Sequence, residues 1–215
     1  VVREQQSGKQ SRDPKAVAVY VSLVDANENP ASVGFQTLDH RTNYFRGDKA
    51  NWRTEIPNHR NVQMNEVYQG IDVLWTGSGR GNVRSDFIVR PNADPNQIEW
   101  EVKGAEAVEL DAEGNLVIKA IYGEIRRPKP VAFQDSDGLR QEIGSRFVLS
   151  DSSAVTDGSG EKSFKVRFAF GDYDRTKTLS MEPSANFSDI SFSTFVGGTS
   201  LDEGAGIGTD SAGNV

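Results

Sequence analysis

The segment QIEWEVKG, residues 97–104, alternates apolar and polar side chains with a period of two residues. Ile98, Trp100 and Val102 fall on one face of an extended strand, and charged residues occupy the other face. Successive side chains of a β-strand point to opposite sides of the sheet, whereas an α-helix repeats every ~3.6 residues. The pattern therefore predicts a strand with one face in a hydrophobic core.

The same alternation recurs along the chain. In SFKVRFAF, residues 163–170, every second residue from Phe164 to Phe170 is apolar, and Lys165 and Arg167 fall on the opposite face. Turn signals such as PNADPN, DAEGN and DSDG separate these runs, and GSGRGN (77–82) is typical of a hairpin turn. No segment of about 12 residues keeps the helical period of apolar residues. We predict an all-β fold, an antiparallel β-sandwich of about a dozen short strands with an extended C-terminal tail.

Three regions are expected from composition. Residues 1–15 are polar and basic without periodicity, which predicts a flexible N-terminal arm, and residues 16–183 form the β-sandwich domain. Residues 184–215 comprise a linker and a glycine-rich tail too small to fold alone. Within the domain, AVAVYVSLV (16–24) is expected to be one strand. Residues 31–61 are mixed in composition, and NYFRGDKANWR (43–53) within them is expected to be an ordered loop anchored by aromatic rings.

Charge and composition exclude several classes of protein. The 215-residue chain has a formal net charge of −7, which argues against a nucleic-acid surface and against adsorption to anionic membranes. The chain has no cysteine, so disulfides, thiolate metal sites and thiol catalysis are excluded. Because no apolar run approaches about 18 residues, we expect no membrane insertion.

No catalytic constellation stands out, and we expect a protein that is not an enzyme. His40 and His59, the two histidines, lie in polar stretches outside any recognisable catalytic motif. No cofactor is implied, although carboxylates at turns leave Ca²⁺ open, because Ca²⁺ takes several oxygen ligands in flexible loops. The alternative, which we favour, is that these side chains hydrogen-bond within their own turns. The candidate residues are Asp111, Glu113, Asp135, Asp137, Asp202, Glu203 and Asp210.

The aromatic residues suggest one possible ligand site. Trp75 and Trp100 lie in strand-like runs and are expected in the core. Trp52 lies among turn residues and is the best candidate for stacking a carbohydrate, although holding its loop in place is the favoured role. Tyr173 follows the last long strand, where its hydroxyl could bond to the backbone at a corner.

Five stretches, in order, resemble a bacterial extracellular domain that precedes SBBP (beta-propeller) repeats. The resemblance covers roughly residues 40–215 and includes departures at Gln69, Asn92 and Glu182, where the turn chemistry remains plausible because Asn tolerates positive φ. The stretches are NYFRGDKANWRTEIPNHRNVQMNEVYQGIDVLW, DFIVRPNADPNQIEWEVKGAEAVELDAEGNLVI, GEIRRPKPVAFQDSDG, FAFGDYDRTKTLSMEP and FSTFVGGTSLDEGAGIGTDSAGNV.

The resemblance implies an extracellular or cell-surface module without established catalysis, whose tail resembles the start of a propeller-type repeat. Its partners would be downstream repeats or copies of itself. An unpaired strand near the tail leaves N–H and C=O groups open to another sheet, and head-to-tail strand donation would produce a filament. The residues expected to pair are Ile190, Phe192, Thr194, Phe195, Val196, Gly197 and Gly198. A carbohydrate-binding or adhesion module and a non-catalytic domain of a larger secreted enzyme remain alternatives.

Overall fold

A computed structural model describes residues 2–3, 16–77, 83–136, 138–150, 155–156 and 162–183. These residues contain seventeen β-strands, two single-turn 3-10 helices (Lys49–Asn51 and Pro95–Gln97) and no α-helix. The predicted all-β fold is therefore confirmed. The strands are β1 (Val2–Arg3), β2 (Ala16–Val17), β3 (Tyr20–Leu23), β4 (Ala31–Tyr44), β5 (Arg53–Tyr68), β6 (Ile71–Gly77), β7 (Val83–Val89), β8 (Glu99–Lys103), β9 (Ala107–Leu110), β10 (Leu116–Ala120), β11 (Gly123–Arg127), β12 (Val131–Ser136), β13 (Leu139–Ile143), β14 (Ser145–Leu149), β15 (Val155–Thr156), β16 (Lys162–Phe170) and β17 (Leu179–Glu182).

Two large antiparallel sheets form the body of the domain. One has seven strands in the order β13-β12-β17-β7-β6-β5-β4, and the other has the order β14-β16-β8-β3, with β15 also paired to β16. A three-stranded sheet, β11-β10-β9, completes the domain, and β1 pairs with β2. The predicted arm (1–15) thus contains β1, whereas residues 4–15 and 184–215 lie outside the described part of the chain.

The core lies where the three larger sheets meet. Phe87 and Val89 of the seven-stranded sheet, Trp100 and Val102 of β8, and Leu116 of β10 belong to one buried cluster. The predicted alternation is confirmed in β8, because Ile98, Trp100 and Val102 are at most 5% exposed. Burial of each such side chain contributes roughly 1.5–3 kcal/mol to folding.

An aromatic group centres this core. The ring of Trp100 meets the ring of Phe168 edge-on, with centroids 5.1 Å apart, and Phe168 lies 5.5 Å from Phe147. These rings come from three neighbouring strands of one sheet, because β16 pairs with both β8 and β14. The alternating aromatic residues thus hold this sheet against the core.

The ordered loop expected at residues 43–53 is present over residues 45–52, but the mixed residues on both sides of it form strands. These are the two longest strands, β4 and β5, which pair from Ala31–Asn65 outward to Tyr44–Arg53. Most side chains of β4 are exposed on both faces. A strand without a buried face lacks period-two alternation, so the sequence signal for a strand was absent here. Only the connection around residues 45–52 is a loop.

The predicted strand at residues 16–24 is also interrupted. It divides into β2 and β3, with Ala18 and Val19 between them. The carbonyl oxygen of Ala18 approaches Gly104, where an added Cβ would lie only 2.1 Å from that oxygen. Gly104 has a φ of +76°, so glycine is required both for its conformation and for this close approach.

Glu99 is buried although the alternation predicted an exposed position. It is only 6% exposed, and its carboxylate binds Lys165 at 2.7 Å and the guanidinium of Arg167 across the strand pair. Burial alone would raise the pKa of Glu99, but the hydrogen bonds and charges of Lys165 and Arg167 hold it below the usual value.

This ion group makes stability depend on pH. Because the folded-state pKa of Glu99 is lowered, its contribution is present above its ordinary pKa of 4.5 and is lost as the pH falls through the folded value. We expect Glu99→Gln to lower the unfolding free energy by about 1–2 kcal/mol at pH 7. The difference in unfolding free energy between this variant and the native protein should become smaller as the pH falls below about 4. Urea denaturation followed by circular dichroism measures both quantities.

Glu101→Gln is the matched control. Glu101 lies in the same strand, and its ion pair with Lys103 is longer, at 3.5 Å, and more exposed. Its change should alter stability by less than about 0.5 kcal/mol. Asp86 changes stability with pH in the opposite direction, because burial raises its pKa. This effect cancels when each variant is compared with the native protein at the same pH. A Glu99→Gln difference that grows as the pH falls would contradict this role.

The described part of the chain contains no helix with the length and apolarity needed to cross a bilayer.

Candidate interaction surface

The outer strand of the β4–β5 hairpin, β4, is exposed along most of its length. The last pair between β5 and β6 joins Asn61 to Thr76, and β4 has no described neighbour other than β5. Residues 37–60 therefore extend past the sheet as a two-stranded segment, which we call the ribbon. At ~3.3 Å per residue the ribbon reaches roughly 25 Å from the sheet. An isolated two-stranded hairpin is only marginally stable, so this segment depends on its own side-chain contacts.

Side-chain amides stabilise the ribbon where its backbone pairing is irregular. The register shifts between Thr37 and Arg41 and again between Thr42 and Tyr44. At the second shift the backbone N–H of Glu55, a residue with φ of +57°, donates to Oδ1 of Asn43 at 2.8 Å. Nδ2 of Asn58 donates to the carbonyl of His40 at 3.2 Å. These contacts replace backbone hydrogen bonds that bulges remove.

The base of the hairpin is held by Asp72, which is 4% exposed. A bulge in β5 between Met64 and Tyr68 frees the backbone N–H of Glu66, which donates to Oδ1 of Asp72 at 2.8 Å. Nη2 of Arg90 donates to the same carboxylate at 2.7 Å, and Nη1 of Arg90 binds Glu66. Asp72 thus joins β5, β6 and the end of β7 at one point.

The inner half of β4 is a regular, uncharged edge. Ala31 to Phe35 pair without interruption with Asn65 to Asn61. Val33 and Phe35 are 45% and 43% exposed, and the first charged residue of β4 is Asp39. Natural sheets normally protect an edge with charges, prolines or bulges. The segment Ala31 to Phe35 contains no charged residue and no proline, and the first register shift of β4 lies after Thr37.

The two histidines are both in the hairpin. The imidazole of His59 lies over Gly34, where an added Cβ would come within 2.4 Å of the ring. Nδ1 of His59 is 3.3 Å from the hydroxyl of Thr37 on the paired strand. His40 is exposed on β4. His59 therefore has a packing role, and the close approach of its ring is the reason for glycine at position 34.

Trp52 lies at the end of the hairpin and is 42% exposed. Its ring meets Phe45 edge-on with centroids 4.8 Å apart, Nζ of Lys49 lies 5.9 Å from the ring centroid, and its Nε1–H donates to the carbonyl of Gly47 at 3.3 Å. These contacts hold the loop in place while leaving part of both rings open. Stacking of a ligand on Trp52 stays a prediction.

Charge distinguishes the ribbon from the rest of the chain. Residues 37–60 contain five Lys or Arg and three Asp or Glu, whereas the whole chain has a net charge of −7. The ribbon therefore has a net positive charge on an acidic protein, and its electrostatic attraction to acidic groups is weakened by salt.

Two other sequence predictions are corrected, those for Trp75 and Tyr173. Trp75 lies in β6 as expected, but it is 40% exposed because it lies at the rim of a cavity between the sheets. The hydroxyl of Tyr173 is buried, yet within the described ranges it forms no hydrogen bond, so it does not lock a corner. The adjacent arginines of β11 differ in their contacts: Arg126 pairs with Asp111 and Glu124, whereas Arg127 turns inward, with its guanidinium carbon 5.2 Å from the centroid of Trp100.

The candidate Ca²⁺ ligands that the structure describes are dispersed. Asp111 accepts hydrogen bonds from the backbone N–H groups of Glu113 and Asn115, at 3.1 and 2.8 Å, and therefore stabilises its own turn. Desolvation opposes ionisation of Asp111, but these hydrogen bonds and Arg126 hold its pKa below the usual value. Over the described ranges no three acidic or histidine side chains converge on a metal site. Asp137, Asp202, Glu203, Asp210 and the predicted pairing residues 190–198 lie outside the described residues.

The turn at Asn92 agrees with the sequence. Asn92 has a φ of +64°, and its backbone N–H donates to the carbonyl of Arg175 at 2.7 Å. Asn is among the few non-glycine residues that adopt this conformation readily. The departure from the family pattern noted at this position is therefore accommodated by the backbone.

Fold and surface together define an all-β domain with a projecting hairpin and an open sheet edge. The chain belongs to the family DUF7948, described as a domain of unknown function, which it matches over residues 2–184. No curated protein matches the chain. No solved structure matches it either.

Removal of the charge of Asp72 tests how the hairpin is anchored. We expect Asp72→Asn to lower the unfolding free energy by about 1–3 kcal/mol, because the charged hydrogen bonds to Arg90 and Glu66 are weakened. Backbone amides of residues 61–68 should lose protection from hydrogen exchange before those of β8 and β16. Denaturant titration and hydrogen exchange with mass spectrometry measure these effects.

Asp39→Asn is the control, because it removes the same charge from an exposed position of the hairpin. Its unfolding free energy should stay within about 0.5 kcal/mol of the native value. Equal losses for the two variants would show that Asp72 is not a specific anchor.

Proposed function

We propose that this chain is a non-catalytic structural and assembly module of an extracellular or cell-surface protein, which associates with copies of itself by strand exchange. Strand addition needs an open edge with unpaired N–H and C=O groups and apolar side chains beside it. The uncharged edge of β4, Ala31 to Phe35, meets both requirements. It is the single observation that supports the proposal most.

The remaining sheet edges suit strand addition less well. β3 and β9 have only four residues each, β13 carries the charged residues Arg140 and Glu142, and β14 carries Arg146. β11 contains Glu124 and two arginines. Because a charged or short edge gives an added strand few favourable contacts, β4 is the best acceptor among the described strands.

The donor in this proposal is the segment ISFSTFV, residues 190–196, of another copy. Its alternating Ile190, Phe192 and other apolar residues could cover Val33 and Phe35, and the glycines that follow allow close approach of two backbones. Donor and acceptor are different surfaces, so each added copy leaves a new acceptor open. Such a head-to-tail contact extends into a filament unless its rotation closes a ring.

The test changes the acceptor edge. We expect the double variant Val33→Lys and Phe35→Lys to remain monomeric in light scattering at concentrations where the native chain forms larger species, because the introduced charges oppose strand addition. Electron microscopy of the native protein should show filaments with a repeat of one subunit.

Leu139→Lys is the matched control, because it introduces a positive charge on a different edge of the sheet. Leu139 is 74% exposed and lies on β13, the opposite edge of the same sheet. This variant should associate like the native chain. A native chain that stays monodisperse and monomeric at high concentration would refute the proposal, as would equal loss of association in both variants.

A carbohydrate-binding or adhesion role is the second candidate, supported by the partly exposed rings of Trp52 and Phe45 at the tip of the hairpin. Exposed aromatic rings offer apolar faces for stacking. In this case the native chain should bind in a glycan array, and Trp52→Ala should reduce that binding at least tenfold. Leu139→Ala, which removes an exposed apolar side chain elsewhere, should leave it unchanged. Glycan binding that survives Trp52→Ala would exclude the tip as the site.

A further inference from the structure

A cavity of about 310 Å³ opens between the two large sheets. Val21 of β3 and Trp100 of β8 line it from one sheet, and Trp75 of β6 lines it from the other, together with Ser85 and Phe87 of β7. Phe87 and Trp100 are buried, whereas Val21 and Trp75 are 39% and 40% exposed. The cavity therefore has buried aromatic walls and an apolar rim that is open to solvent.

The walls of the cavity favour an uncharged apolar group. Among the described residues, the side chains that line it are apolar except for Ser85 and Arg127, and the guanidinium of Arg127 is already engaged within the protein. The indole N–H of Trp75 donates to Sδ of Met64 at 3.2 Å. The exposed part of Trp75 is therefore carbon surface, and covering that surface with an apolar group is favourable.

The last described residue of the chain, Pro183, lies beside this cavity. β17 pairs with β7 in a register that sets Met181 opposite Phe87. Two residues further along the same register, Pro183 is opposite Ser85, on the face of the sheet that lines the cavity. Pro183 is fully buried. The chain therefore continues into residue 184 from a point next to the cavity wall.

The first large apolar residue after Pro183 is Phe187, and it is within reach of the cavity. β7 lies between β17 and β6, so two strand spacings, roughly 10 Å, separate β17 from Trp75. The four residues from Pro183 to Phe187 span up to roughly 13 Å when extended. An apolar cavity of about 150 Å³ is enough to hold benzene, so a phenyl ring fits the larger volume found here.

We propose that residues 184–189 dock on their own domain, with the ring of Phe187 in this cavity. A group tethered by a short segment has an effective concentration on the order of millimolar, so it occupies such a site ahead of a free apolar compound that binds weakly. The inference goes beyond assembly by strand exchange, whose donor strand begins at Ile190. Docking of Phe187 fixes the point from which that strand leaves the domain.

Nuclear Overhauser contacts test the position of the ring directly. The sample is the native chain at a concentration where light scattering shows a monomer, or the Val33→Lys and Phe35→Lys double variant if the native chain associates throughout. We expect contacts between the ring protons of Phe187 and both the methyl groups of Val21 and the indole of Trp75. Phe187→Ala should remove these contacts and shift the indole N–H signal of Trp75, whereas the signal of Trp52 at the hairpin tip should not move.

Free indole, added as a probe, measures whether the cavity is already occupied. By titration calorimetry, Phe187→Ala should bind indole at least tenfold more tightly than the native chain does, because loss of the ring vacates the cavity. Addition of Ser85→Phe to that variant fills the cavity from its wall and should abolish the binding. Phe192→Ala is the matched control, because it removes the same ring from a position beyond the docking segment, and it should bind indole as weakly as the native chain.

Equal affinity of the native chain and Phe187→Ala for indole would overturn the proposal, as would the absence of saturable indole binding to Phe187→Ala at millimolar concentration. Absence of contacts between Phe187 and the cavity would do the same. In a mixed sample, contacts found only between labelled and unlabelled copies would assign the cavity to the tail of a second copy and would also overturn it. All these measurements are made on the monomer, so failure of strand exchange at β4 would leave their outcomes unchanged.

Discussion

Packing of the inner face of β8 against the neighbouring sheets is the contact on which the domain depends. Trp100 lies between Phe168 on its own sheet and the cation of Arg127, and it belongs to the same buried cluster as Phe87 of the opposite sheet. Trp100 is part of the core and forms one wall of the cavity between the sheets. It is also adjacent in β8 to Glu99, which is buried. Loss of this ring would remove roughly 3–5 kcal/mol of stability.

The sequence predicts the buried half of this structure well, because burial imposes a pattern. Alternation at residues 98–102 and 164–170 identified the strands whose inner residues form the core. The turn at Asn92 was also recognisable, since few residue types adopt positive φ. Each of these predictions rests on local chemistry that needs no knowledge of the distant strands.

The same reasoning failed where the outcome depends on distant partners. β4 and β5 have few buried side chains along the ribbon, so nothing in their pattern distinguishes strands from a loop. Glu99 is buried because Lys165 and Arg167, more than 60 residues away, meet it across the strand pair. Trp75 alternates like a core residue, yet the opposite sheet leaves a gap beside it. The open edge of β4 and the cavity could not be predicted from the sequence for the same reason. The predicted pairing segment 190–198 lies outside the described residues.

Assembly by strand exchange, as proposed, requires that the uncharged edge at residues 31–35 receives a strand. Hydrogen exchange followed by mass spectrometry, with the native chain at low and at associating concentrations, tests that claim directly. The account predicts that association increases protection of amides in residues 31–36 while residues 139–143 of the opposite edge stay unchanged. Unchanged exchange at residues 31–36 in the associated protein would contradict it.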